Sequence, residues 1–148
     1  MKQERRTLHS EFRVEQREDG KKLIRGHAAV FNSETDLGWF RERIAPGAFS
    51  ESIGKDDVRA LFNHDENFIL GRNTAGTLTM REDERGLYVE IDPPDTQVGR
   101  DLVTSIERGD ISQMSFGFQT IKDSWETEEN AAKDLRTLEK VKLWDVSP

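Results

Sequence analysis

Apolar and polar residues alternate along much of the chain. Within residues 8–15, Leu8, Ser10, Phe12 and Val14 share one parity, a period-2 pattern that predicts a half-buried strand. Asp19-Gly20 is a two-residue hairpin signal, and residues 22–31 read as the return strand, so the chain is predicted to open with a β-hairpin. Gly26 inside that strand marks a bulge or a close backbone approach. Residues 32–45 are loop-like and end in the mixed stretch Trp39 to Ile44. Residues 46–54 predict a short helix, with Pro46 in the first turn, Phe49 and Ile53 on one face and Gly54 as the stop. Residues 58–64 predict a strand ending in a polar cluster. Further strands follow at 70–81 and 87–92, separated by the charged turn 82–86.

Pro93-Pro94 ends that strand, and Asp95 and Thr96 are N-cap candidates for the clearest helix. Its apolar positions are Val98, Leu102, Val103 and Ile106, with Gly109 as its C-terminal stop. Residues 111–118 resume as a strand. Residues 123–134 are polar and acidic and predict a mobile surface loop, and residues 135–146 predict a final strand. The expectation is one mainly β domain over residues 1–148: a mostly antiparallel β-barrel of about seven strands, closed or partly closed, with flanking helices. Closure removes exposed strand edges.

Composition narrows the function classes. With 22 basic and 29 acidic side chains the net charge is −7, which disfavours a binder of nucleic-acid backbones. The absence of cysteine excludes disulfides, a thiolate zinc site and a cysteine nucleophile. No apolar run approaches the ~20 residues that span a bilayer. The polar N-terminus carries no apolar segment of the secretory kind. The expectation is a soluble, cytoplasmic protein with no membrane or nucleic-acid partner, no metal and no cofactor.

Three histidines are candidate bases. His9 and His27 lie at outward parity and read as surface or structural residues. His64 ends an apolar strand, where rigid backbone delivers a side chain to a loop; both a catalytic role and an ordinary strand-end role fit. Ser115 is a small hydroxyl in the bulky run Met114-Ser115-Phe116-Gly117-Phe118. It is either a nucleophile or a serine on a polar strand face. Gly117 beside it permits close approach by another chain or an unusual backbone angle.

The blocks Arg25 to Asn32, Ile44-Ala45-Pro46-Gly47-Ala48-Phe49, Leu61-Phe62-Asn63-His64-Asp65, Met114-Ser115-Phe116-Gly117-Phe118 and Leu143-Trp144-Asp145-Val146-Ser147 occur in one order over roughly residues 23–148. In this they resemble the HK97-type caudovirus prohead protease family, itself related to the herpesvirus assembly protease. The resemblance implies a herpesvirus-protease-like β-barrel and a serine endopeptidase of phage head assembly. Such an enzyme acts inside the procapsid, in the host bacterial cytoplasm. Its substrates are scaffold protein or the scaffolding segment of the major capsid protein, and itself. The resemblance places the nucleophile on Ser115 and the base on His64. In the herpesvirus relatives a second histidine completes the triad; none follows His64 here, so a carboxylate must serve. Glu139, 24 residues beyond Ser115 on the last predicted strand, is the first choice, and Asp145, six residues on, is the runner-up. Asp65 adjoins His64 and is expected to point away. The family pattern also implies further chain beyond Pro148, including a segment able to form a homodimer or higher oligomer. The competing expectation is a non-catalytic capsid-assembly or scaffold-binding β-domain in which His64 and Ser115 are incidental.

Overall fold

The computed structural model describes residues 2–9, 12–127 and 132–148. These residues form eleven strands, two helices and a short 3-10 turn. The predicted hairpin is present: β2 (Arg13–Gln16) pairs antiparallel with β3 (Lys22–Val30) around Gly20, with the Asp19 carboxylate accepting the Lys21 N–H. The strand expected over residues 8–15, however, is divided. Its first part belongs to β1 (Glu4–His9), which lies in a different sheet from β2, and Ser10 and Glu11 fall outside the described residues. Gly26 fulfils its expectation, because a Cβ there would sit 2.3 Å from Phe12 Cβ.

Sheet one has the order β2-β3-β9-β8, where β8 spans Leu78–Glu82 and β9 spans Gly86–Ile91. Sheet two has seven strands. Its path runs from β1 through β10 (Gln113–Glu126) and β11 (Asp134–Ser147) to β5 (Phe40–Ile44) and β4 (Thr35–Asp36). β6 (Arg59–Phe62) and β7 (Asp65–Arg72) branch from β11. The fold is therefore mostly β and mostly antiparallel, as expected, but it is a curled half-barrel sheet plus a second sheet, of mixed topology, where the sequence predicts one barrel of about seven strands. Two pairings make it mixed: β11 runs parallel to β5 at residues 134–138 and parallel to β6 at residues 145–146. Local turn signals disclose hairpins between neighbouring strands. They say nothing about partners some ninety residues apart.

The gap between β5 and β6 along this edge of β11 is closed by the segment around Pro46. Ala45 N–H donates to the Leu138 carbonyl, Val141 N–H donates to the Ala48 carbonyl, and Leu143 N–H donates to Ser52 Oγ at 2.8 Å. Ser52 belongs to α1 (Ser50–Lys55), the predicted short helix shifted a few residues on. Buried backbone donors are expensive to leave unpaired. The Ile44 to Phe49 block thus lets one strand accept two parallel partners in succession.

The longer helix, α2 (Gln97–Arg108), has Thr96 as its N-cap, accepting from Gly99 N–H, and buries Leu102, Val103 and Ile106. The core gathers Met114, Phe116 and Phe118 of β10 with Phe49, Leu138 and Leu143. Phe116 contacts Phe49 edge-on at 5.6 Å between centroids. Each such side chain stabilises the fold by roughly 1.5–3 kcal/mol through burial. Because residues 114, 116 and 118 point into this core, strand alternation turns Ser115 and Gly117 to the opposite face. The acidic segment departs from expectation. Residues 123–126 are the end of β10, paired with β11, and Trp125 stacks on Trp39; residues 128–131 lie outside the described residues.

Candidate active site

Antiparallel pairing of β10 with β11 sets Ser115 opposite Ser147 and Gly117 opposite Asp145. Alternation then turns Ser115, Asp145 and Ser147 toward one face, with Ser115 and Asp145 diagonal neighbours. The histidine arrives from β6. Phe62 and Asp65 flank a two-residue turn made of Asn63 (φ 50°) and His64 (φ 59°). Positive φ at both central residues is the type I′ hairpin condition, usually met by Asn-Gly. Histidine in glycine's place costs of order 1–2 kcal/mol in backbone energy, the kind of strain found at functional sites. The parallel pairing of Ala60 with Val146 and the Asn63 N–H bond to the Pro148 carbonyl hold this turn against the end of β11.

The three side chains meet. His64 Nε2 lies 2.8 Å from Ser115 Oγ, and His64 Nδ1 lies 2.5 Å from Asp145 Oδ2. Ser147 Oγ donates to the same Asp145 oxygen at 2.6 Å. Asp145 and Ser147 are buried at 4% and 2% exposure. Ser115 Oγ also lies 2.9 Å from the Arg6 carbonyl oxygen and 3.4 Å from Thr7 Oγ1. A cleft of about 500 Å³ borders His64 and Asp145, with Arg5, Arg59, Leu61 and Trp144 in its walls.

Glu139, the first-choice acid, is elsewhere. It pairs with Lys122 at 3.4 Å, six residues along β11 from Asp145, which is about 20 Å of strand. The acid beside His64 is the runner-up, Asp145. β10 and β11 continue past the site as a long ribbon in which Ser115 faces Ser147, 32 residues on, while Glu139 falls between Leu138 and Lys140, the partners of Asp123 and Lys122. Asp65 points away as expected, accepting the Asn67 N–H at 2.9 Å. His27 bonds Asp83 at 2.7 Å, and His9 lies beside Gln113; neither approaches Ser115. Sequence reasoning missed Ser147 as a partner of the acid. Its identical parity with Asp145 was the available signal.

On the other face of β1, Glu42 is buried at 4% exposure and receives Arg6 at 2.7 and 2.9 Å and Arg136 at 3.3 Å. Arg136 also bonds Glu4 at 3.0 Å, and Thr120 donates to Glu4 at 2.7 Å. Burial works to raise the Glu4 pKa, but the Arg136, Thr120 and Arg6 contacts outweigh it and bring it down to about 2.

A hydroxyl, an imidazole and a carboxylate stand in one hydrogen-bonded line on a mainly β scaffold, the set of groups that acyl transfer through a serine requires. The chain belongs to the caudovirus prohead serine protease family, whose profile matches residues 10–148. It is 33% identical over 111 residues to the prohead protease of Enterobacteria phage HK97, covering 72% of this chain and 47% of that protein; the chain thus spans about half the length of that curated relative. Its fold resembles that of the bacteriophage T4 capsid assembly protease, with a TM-score of 0.57 over 98% of this chain and 99% of that one, at 12% identity.

Proposed function

We propose that this protein is a serine endopeptidase of phage prohead maturation, with Ser115 as nucleophile, His64 as general base and acid, and Asp145 as the orienting carboxylate. The observation that carries the reading is the hydrogen-bonded line from Asp145 Oδ2 through His64 to Ser115 Oγ. Ser115 Oγ attacks the scissile carbonyl carbon while its proton passes to His64 Nε2. As the C–N bond breaks, His64 returns that proton to the departing amine. Water then attacks the acyl-enzyme, giving a proton to His64, and the ester bond to Ser115 breaks as Oγ regains a proton. Asp145 accepts the Nδ1–H and stabilises the imidazolium formed at each step. His64 replaces water as the proton acceptor because a serine hydroxyl alone is a weak nucleophile near pH 7.

The relatives are named a prohead protease and a capsid assembly protease, which supports a protein of the assembling capsid as substrate; this reading extends that to scaffold protein and to the protease itself. Co-expression with the major capsid protein of the same phage, followed by intact-mass analysis of both chains, tests this. The reading expects a discrete truncation of the capsid or scaffold chain with the wild type and none with Ser115→Ala or His64→Ala. Equal truncation with Ser115→Ala removes Ser115 as nucleophile. Intact partner chains bound to wild-type protein would favour a non-catalytic assembly domain.

A further inference from the structure

Ser115 is in place with its two partners, yet it is only 8% exposed. Apart from His64, the polar atoms against its Oγ are the Arg6 carbonyl oxygen and Thr7 Oγ1, both from β1. β1 runs antiparallel along the outer edge of β10 from Glu4 opposite Phe118 to His9 opposite Gln113, and Thr7 faces Ser115 directly. β11 fills the other edge of β10. An extended chain that pairs with β10 beside the nucleophile must therefore take the edge β1 holds. The family match begins at residue 10, after β1. An edge strand presents a row of N–H and C=O groups that recognises any extended polypeptide through its main chain, leaving specificity to alternate side chains.

We propose that the outer edge of β10 is the docking strand for an extended polypeptide substrate, and that β1 of the same chain occupies it in this structure. The proposal rests on the peptidase reading above and adds how the substrate binds. β1 is held by its main-chain pairing and, on its far face, by Arg6 with Glu42 and Glu4 with Arg136. Substrate enters as this strand withdraws, and its carbonyl meets Ser115 where the Arg6 carbonyl now stands.

The absence of native cysteine makes a direct test available. His9 and Gln113 are opposed in the ladder with side chains 3.1 Å apart, within disulfide reach after substitution. The full-length double variant His9→Cys/Gln113→Cys is assayed oxidised and reduced, for cleavage of the capsid protein and for labelling of Ser115 by a small fluorophosphonate. The proposal expects cleavage to fall at least tenfold in the oxidised form and to return on reduction. Equal cleavage in both forms would overturn it while labelling at Ser115 upheld the peptidase reading. A reduced form that neither cleaves nor labels would overturn the peptidase reading, and this proposal with it.

Discussion

Gly117 stands opposite Asp145 across the β10–β11 ladder, and a Cβ placed on Gly117 would lie 2.3 Å from Asp145 Oδ1. The bare glycine leaves the room in which the carboxylate reaches His64. Gly117→Ala forces the end of a side chain, rather than backbone, to move, so the fold tolerates it and the site does not. The expected result is a loss of cleavage of at least tenfold, with thermal unfolding shifted by only a few degrees.

Exchanging carboxylates for amides separates the two candidate acids. Asp145→Asn presents the wrong partner to His64 Nδ1 and is expected to lower kcat by ~10³–10⁴-fold, the scale of the equivalent loss in other serine triads. Glu139→Gln removes an ion pair with an exposed strand lysine and is expected to change kcat less than threefold. Steady-state rates on one peptide substrate decide between them.

In the proposed mechanism Ser147, which donates to Asp145, is a positioning residue. Ser147→Ala removes one of the two hydrogen bonds on Asp145 Oδ2 at a buried carboxylate, a cost of about 1–3 kcal/mol. The expected outcome is a fall in kcat with KM unchanged and a displaced pH–rate profile. Ser147→Thr, which keeps the hydroxyl, is expected to recover most of the rate. A fall in stability with an unaltered profile would assign Ser147 a packing role only.

Acid is expected to loosen β1. The folded Glu4 pKa lies near 2, below the ordinary value of 4.5, so its contribution is fully present above pH 4.5 and is lost as the pH falls toward 2. Below pH 4.5 the melting temperature of the wild type is expected to approach that of Glu4→Gln. At pH 7 the two differ most, and thermal unfolding across that range checks the convergence.

Strand alternation around Met114, Phe116 and Phe118 made the direction of Ser115 readable in advance, and the caps Thr96 and Gly109 bounded α2 well. The divided first strand was not readable, because Leu8 and Phe12 share a parity yet serve different sheets. Nor was the parallel attachment of β5 and β6 to β11, since it depends on long-range pairing and on Ser52 and Ala48 filling the space between them. The turn at Asn63-His64 was hidden because histidine stands where a type I′ turn ordinarily has glycine. At the site, Ser115 and His64 were legible from the family resemblance. The acid depended on register, which bulges at Gly117/Phe118 and beyond Thr120 displace from any simple count of residues.

The activation of Ser115 by His64 is most directly tested by the rate at which a fluorophosphonate modifies the protein, located by peptide mapping, in the wild type and in His64→Ala. The account predicts a single adduct on Ser115, formed at least a hundredfold more slowly without the imidazole. An adduct on another residue, or the same rate in both proteins, would contradict it.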